Sequence, residues 1–422
     1  MSLTKAKIRM IDGIGINVVD FGADRTGATD SSAAFTAALD YVIAEGGGRI
    51  FIPKGTYQIN VDWSSQVIAG GYGQIIFEGE SSTSVKLLGV TGASALLTID
   101  RGGSGDNMIG SNMVFKNMEF RTEDNICSGG TPVINHAVYI DRTSAEFFNV
   151  IFSGGSRSAF YGENCQYTKF IDCLFRCSSI APTTYPSAGA WIRSAYNETV
   201  ADQITIDRCI FNSSQNGLYC EGVFQLRVLN SRFQQHFNAG EGAIVIKDTL
   251  DSAGSENIHI MNCHFELNYV RDIYMPSQTN RTLVQSCAFF NQIGQWPTKV
   301  AVCEQASIDM TYIGNDFRTA DGPTLTLLGN NGSLTYLGND EDPYSLTLSG
   351  SNNSGMVYSG SKSSGGGQLD MLYTQMNLSA YYGRAGLHLD GYQLWVDSSG
   401  RLRIKSGAPT SDTDGTVVGT QT

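Results

Sequence analysis

The chain has 422 residues, a formal net charge of −12 with only 16% charged residues, and no run of Lys or Arg, which argues against a nucleic-acid partner. It contains no apolar stretch of 18 residues, and the opening MSLTKAKIRM lacks the apolar centre of a secretory signal, so the expectation is synthesis in a cytoplasm without membrane insertion. Nine cysteines without metal-type CxxC pairing predict buried free thiols, no disulfide and no metal site.

Residues 1–15 carry little signal and are taken as an N-terminal linker. In 16–59, Asp30 is a candidate N-cap, and Ala34, Phe35, Ala38, Leu39, Val42 and Ile43 form an apolar stripe at helical spacing that ends at Gly46, Gly47 and Gly48. This predicts one amphipathic helix near 30–45, enclosed by strands. The segment resembles the N-terminal signature of the pectate-lyase-like superfamily through Val19, Asp20, Phe21, Gly22, Ala23 and Asp24, then Thr29 and Asp30, and finally Phe51, Pro53, Gly55 and Tyr57. The resemblance spans about 45 residues, counted on that signature. It implies an all-β fold, a right-handed parallel β-helix whose open end the helix caps. It leaves function open among lyases, hydrolases, epimerases and phage tailspikes, and Asp24 and Asp30 are read as turn and cap residues.

Over 16–320 one phrase recurs: FKNMEF (115–120), FFNVIF (147–152), FIDCLF (170–175), IDRCIF (206–211), VLNSRF (228–233), IMNCHF (260–265) and VQSCAF (284–289). A unit of this size means stacked coils. Within the phrase the apolar phase breaks at the third residue, which reads Asn117, Asn149, Asp172, Asn230 and Asn262. These types enter the left-handed region at low cost, so two short strands are expected to meet at a tight turn. Stacking the phrase predicts a ladder of Asn side chains outside, and inside a file of Phe beside a file of Cys173, Cys209, Cys263 and Cys287.

A second phrase precedes each turn: AVYID (137–141), AFYGE (159–163), GAWIR (189–193), GLYCE (217–221), AIVIK (243–247) and DIYMP (272–276). Its second and fourth residues are apolar, so its third and fifth point outward. That assigns an outer aromatic file, Tyr139, Tyr161, Trp191 and Tyr219, and beside it Asp141, Glu163, Arg193, Glu221 and Lys247. Solvent-facing rings next to polar groups suit the faces of sugars, and the alternative is a buried subunit interface. Paired carboxylates hydrolyse glycosides at about 5–5.5 Å (retaining) or about 6.5–9.5 Å (inverting). Glu163 and Glu221 are therefore the candidate acid and base of an inverting hydrolase, with Asp141 in reserve. Tyr139, Tyr161, Trp191, Arg193, Tyr219 and Lys247 are candidate substrate contacts, Arg193 for a sugar carboxylate. No cofactor is called for. Three acids with no cluster of bases put hydrolysis ahead of elimination, although Arg193 and Lys247 also offer the cation that a lyase needs. His136, His236, His259 and His264 are not at metal or triad spacing and are read as structural.

After Phe317 the rhythm changes. Residues 321–360 form a β-rich extension, 360–367 a linker, and 368–422 a C-terminal β segment with a hairpin in 387–404 around Asp397, Ser398, Ser399 and Gly400. LWVDSSGRLRIKSGAPTSDTDGTVVG resembles the small C-terminal segment of phage tail fibres and tailspikes, and the whole chain resembles a tailspike depolymerase. That resemblance implies a homotrimeric virion tail protein that binds and cuts bacterial capsule or O-antigen, attached directly or through another tail protein. A non-catalytic adhesin on the same scaffold is the competing class.

Overall fold

The computed structural model describes residues 15–69, 73–90, 93–101, 113–122, 134–176, 187–195, 200–236, 241–248, 254–277, 279–290, 300–304, 308–318, 325–327, 333–337, 339–341, 347–348, 355–359, 386–389, 392–406, 410–411 and 413–419. Short strands stack in parallel register, coil upon coil, as a parallel β-helix. One sheet takes a single strand from each coil, from Val61–Asp62 through Ala95–Asp100, His136–Asp141, Ser158–Glu163, Ala188–Arg193, Asn216–Glu221, Ile244–Lys247 and Arg271–Met275 to Thr347–Leu348. The other sheet holds the two arms on either side of the expected turn. The parallel pairing runs on to Gly355–Ser359, where Leu334 faces Met356.

Asn117, Asn149, Asp172, Asn230 and Asn262 all have φ between 50° and 58°. Arg208 and Ser286 occupy the same corner at 52°, although their side chains do little to favour it. The ladder of amides is interrupted: Asn149 donates to Asn117 at 2.8 Å and Asn262 to Asn230 at 3.3 Å. Between these pairs Arg208 makes a two-pronged ion pair with Asp172 at 2.7 and 3.0 Å. An arginine at the corner replaces amide stacking with charge pairing, which corrects the expectation of a continuous Asn ladder.

Inside, the phenylalanines stack face to face. Phe175, Phe211 and Phe233 lie 4.5 and 4.6 Å apart with interplanar angles of 2° and 4°, close to the rung spacing of a sheet. Cys173, Cys209, Cys263 and Cys287 are free and buried, each sulfur reaching a carbonyl of an earlier coil at 3.4 to 3.5 Å. Asn315 and Asn339 continue that file and satisfy their amides on backbone groups and on each other.

The helix Ser32–Ala44 buries Ala34, Phe35, Ala38, Leu39 and Val42. Its first turn is held one residue later than expected, because Asp30 Oδ1 accepts from the backbone N–H of Ser32 at 2.8 Å while Ser31 stands at the N-cap. Asp24 gathers the N–H groups of Thr26, Ala28 and Thr29, which makes it a turn staple. At the C-terminal end a four-stranded antiparallel sheet contains the hairpin Tyr392–Val396 and Leu402–Ser406, with Asp397 accepting from the N–H groups of Ser399 and Arg401 in the turn. Among the described residues no helix is long and apolar enough to cross a membrane.

Candidate functional site on the outer face of the single-strand sheet

Register brings the candidate residues into two continuous files. Asp141 lies beside Glu163, Glu163 beside Arg193, Arg193 beside Glu221, and Glu221 beside Lys247. Tyr139, Tyr161, Trp191, Tyr219, Val245 and Tyr274 form the second file in the same order. Their outward phase is clear from packing: Tyr161, Trp191, Tyr219 and Val245 form an apolar cluster separate from the core of the coils.

Outward does not mean solvent-facing here, and this corrects the sequence expectation. Tyr161, Trp191 and Tyr219 are only 9%, 5% and 3% exposed. Rungs of a sheet are about 4.8 Å apart, so broad neighbouring rings cover one another's faces. Tyr139 stacks on Tyr161 at 5.3 Å, Tyr161 meets Trp191 at 4.9 Å, and the Lys247 ammonium closes the face of Tyr219 at 4.6 Å. What the rings offer is their polar tips. Tyr161 donates its hydroxyl to Glu163 Oε2 at 2.5 Å, and the Trp191 indole donates to Glu221 Oε2 at 3.0 Å. Lys247 is also engaged, with its ammonium 3.2 Å from Glu241. These contacts hold carboxylates in place where the sequence suggested platforms for sugars.

Arg193 differs from its neighbours. It stands in register between Glu163 and Glu221, is in no ion pair among the described residues, and its buried Nε has no hydrogen-bond partner. The surrounding phenol and carboxylates raise its pKa against the opposing effect of burial, so it is a permanent cation within reach of both acids.

Asp141 is the most perturbed carboxyl of the file. Burial pushes it up to about 6; the Asn164 hydrogen bond and Arg142 oppose that rise, and Asp100 and Glu163 add to it. Asp100 lies one rung below, facing Asp141, and sequence reading missed it. Its signal was present: ALLTID (95–100) repeats the alternation of AVYID one coil earlier. His136, expected to be structural, is buried with Nδ1 2.9 Å from Ser158 Oγ and its ring 4.8 Å from Tyr161, and burial pushes its pKa down to about 3. No group of three or more His, Cys, Asp or Glu suited to a metal occurs among the described residues.

Residues 15–266, more than half of the chain, match the family model described as rhamnogalacturonase A/epimerase, pectate lyase-like. Residues 361–420 match the model described as capsule depolymerase. The mannuronan C5-epimerase AlgE3 of Azotobacter vinelandii is 48% identical over 44 residues, which is 10% of this chain and 2% of that protein. Among solved structures, PfbA, a surface adhesin of Streptococcus pneumoniae, is 13% identical, covers 93% of this chain and 98% of its own, and superposes with a TM-score of 0.58. The tailspike protein 2 active domain of bacteriophage CBA120 is 12% identical over 76% of this chain and 47% of its own, with a TM-score of 0.46. At these identities the structural likeness concerns the fold alone.

Proposed function

Since the chain belongs to the rhamnogalacturonase A/epimerase, pectate lyase-like family, we propose that it is an endo-acting glycoside hydrolase of a phage tail that binds and depolymerises bacterial surface polysaccharide, capsule or O-antigen. The capsule-depolymerase match of its C-terminal residues supports that role. The observation that carries the chemistry is a pair of carboxyls on adjacent rungs in different surroundings. Asp141 is pushed towards its protonated form by burial. Glu163 is held as an acceptor by the Tyr161 hydroxyl and stands beside the Arg193 cation. A carboxyl that holds its proton more tightly suits the acid, and a neighbouring carboxylate oriented by a hydroxyl suits the nucleophile.

Adjacent rungs lie about 4.8 Å apart, near the separation of about 5–5.5 Å used by retaining enzymes. Asp141 then protonates the glycosidic oxygen while Glu163 attacks the anomeric carbon. The C–O bond breaks, and the leaving sugar departs with the proton. In the second step Asp141, now ionised, takes a proton from water, whose oxygen displaces Glu163. This reading puts Asp141 ahead of Glu221 as the partner of Glu163. Glu221 is two rungs from Glu163, about 9.6 Å at that spacing, and is anchored by Trp191. Arg193, a cation in register between Glu163 and Glu221, suits the carboxylate of an acidic sugar.

A second reading rests on the same arginine, since a cation beside a uronic carboxylate also stabilises the enolate of a lyase. The test is incubation with a panel of purified capsules and O-antigens, with chain length, reducing ends and anomeric configuration followed by NMR. Shortened chains with retained configuration are expected. Unsaturated products absorbing in the ultraviolet would replace hydrolysis by elimination, and binding without cleavage on every glycan would leave an adhesin. Sedimentation tests the proposed homotrimer.

A further inference from the structure

The residue after Glu163 ties the two proposed catalytic rungs together. Asn164 is 1% exposed and sits at φ 50°, turning the chain out of the strand. Its backbone N–H donates to the Arg193 carbonyl at 2.8 Å. Its side-chain Oδ1 accepts from the backbone N–H of Ala195 at 2.7 Å, and its Nδ2 donates to Asp141 Oδ1 at 3.1 Å. A backbone N–H can only donate, so Oδ1 must face Ala195, and the amide orientation is settled. The donor end is therefore aimed at Asp141.

This deepens the hydrolase reading and rests on it. We propose that Asn164 is a positioning residue that occupies Asp141 Oδ1 as an acceptor, leaves Oδ2 to carry the catalytic proton, and sets the spacing of the Asp141 carboxyl from Glu163. An oxygen already accepting an N–H is the poorer site for a proton, and no described residue bonds Oδ2. Because Asn164 follows Glu163 directly in the chain, one backbone segment places both groups. Asn164 also bridges three rungs, from Asp141 through its own to Ala195. Around Asp141, on its own and the neighbouring rungs, are Asp100, Tyr139, Arg142, Glu163 and Cys165, and the Asn164 hydrogen bond lowers its pKa against the effect of burial.

Two variants test this. Asn164→Gly keeps the left-handed corner and deletes the donor. Asn164→Asp keeps the shape and the bond from Ala195, but sets a carboxyl against Asp141 Oδ1. Either should move the basic limb of the kcat profile upward by about one pH unit or more and cut kcat roughly tenfold, with KM little changed. Neither should add to the loss in Asp141→Asn, because Asn164 acts through Asp141. An unmoved limb, or losses that multiply with Asp141→Asn, would overturn the proposal, even if both variants were less stable. Infrared pH-difference spectra, with the Asp141 band identified by its absence in Asp141→Asn, read the same midpoint without turnover. Full activity in Asp141→Asn would remove Asp141 as the general acid and the proposal with it, whereas the expected loss in Asp141→Asn with an unmoved infrared midpoint in Asn164→Gly would overturn the proposal alone.

Discussion

Two aromatic files of this protein, one inside the coils and one outside, obey the same alternation and rung spacing, yet differ in kind. Inside, Phe175, Phe211 and Phe233 repeat one residue in one orientation, with planes within 4° of each other. Outside, the file mixes Tyr with Trp, and the planes turn by 14°, 54° and 82° from Tyr139 through Tyr161 and Trp191 to Tyr219. The inner file meets a single requirement, close packing, and identical rings meet it best. Tyr161, Trp191 and Tyr219 each have a charged partner of their own, Glu163, Glu221 and Lys247 in turn. A ladder whose members are individually specified is one where position matters more than volume.

That contrast can be broken most severely at the carboxyls. Asp141→Asn and Glu163→Gln should each lower kcat by roughly a thousandfold or more while the circular dichroism of the parallel sheets is unchanged. The inner file should respond in the opposite way. Phe211→Ala removes the middle ring of a close stack and should cost about 3–5 kcal/mol of stability, seen as a large fall in Tm, with kcat per folded molecule close to normal. Next comes Trp191→Phe, which keeps a ring but deletes the donor to Glu221. A Glu221 freed from that donor turns to Arg193 beside it and occupies the cation assigned to the sugar carboxylate; a hydrogen bond to a charged group contributes about 1.5–3 kcal/mol, so a loss of tenfold or more in kcat/KM is expected. An equal loss in Tm with activity intact would make the outer rings as purely structural as the inner ones.

The smallest effect concerns the linkage of Asp141 to folding. Its carboxyl holds a proton up to about 6 in the folded chain, against an ordinary value of 3.8. Folding therefore takes up a proton between those values, and stability falls as pH rises through that window and stays lower above it. Asp141→Asn removes this burden. It should melt a few degrees higher than the parent at about pH 7.5 and lose that advantage below about pH 4. The same substitution thus separates the two roles, with activity lost where stability is gained.

Much of this architecture was legible because it is local. Left-handed corners at Asn117, Asn149, Asp172, Asn230 and Asn262 follow from what those residues tolerate, and the phase break they impose assigns every neighbour to inside or outside. Arg208 and Ser286 adopt the same corner because the rungs on either side impose it, which their own preferences would not have suggested. The free Cys file, the helix stripe and the C-terminal hairpin were readable for the same local reasons.

By itself the sequence determined the parallel β-helix and the direction in which each side chain leaves its strand, because period-two alternation and turn preference are properties of short segments. Only the tertiary structure decided which outward groups are covered and what each one touches. Burial of Trp191, the raised pKa of Asp141 and the reach of Asn164 from Asp141 to Ala195 depend on residues that are about 20 to 40 places apart in the chain and one rung apart in space. Electrostatic and hydrogen-bond energies depend on distance in space, and in a solenoid that distance is set by the stacking of coils.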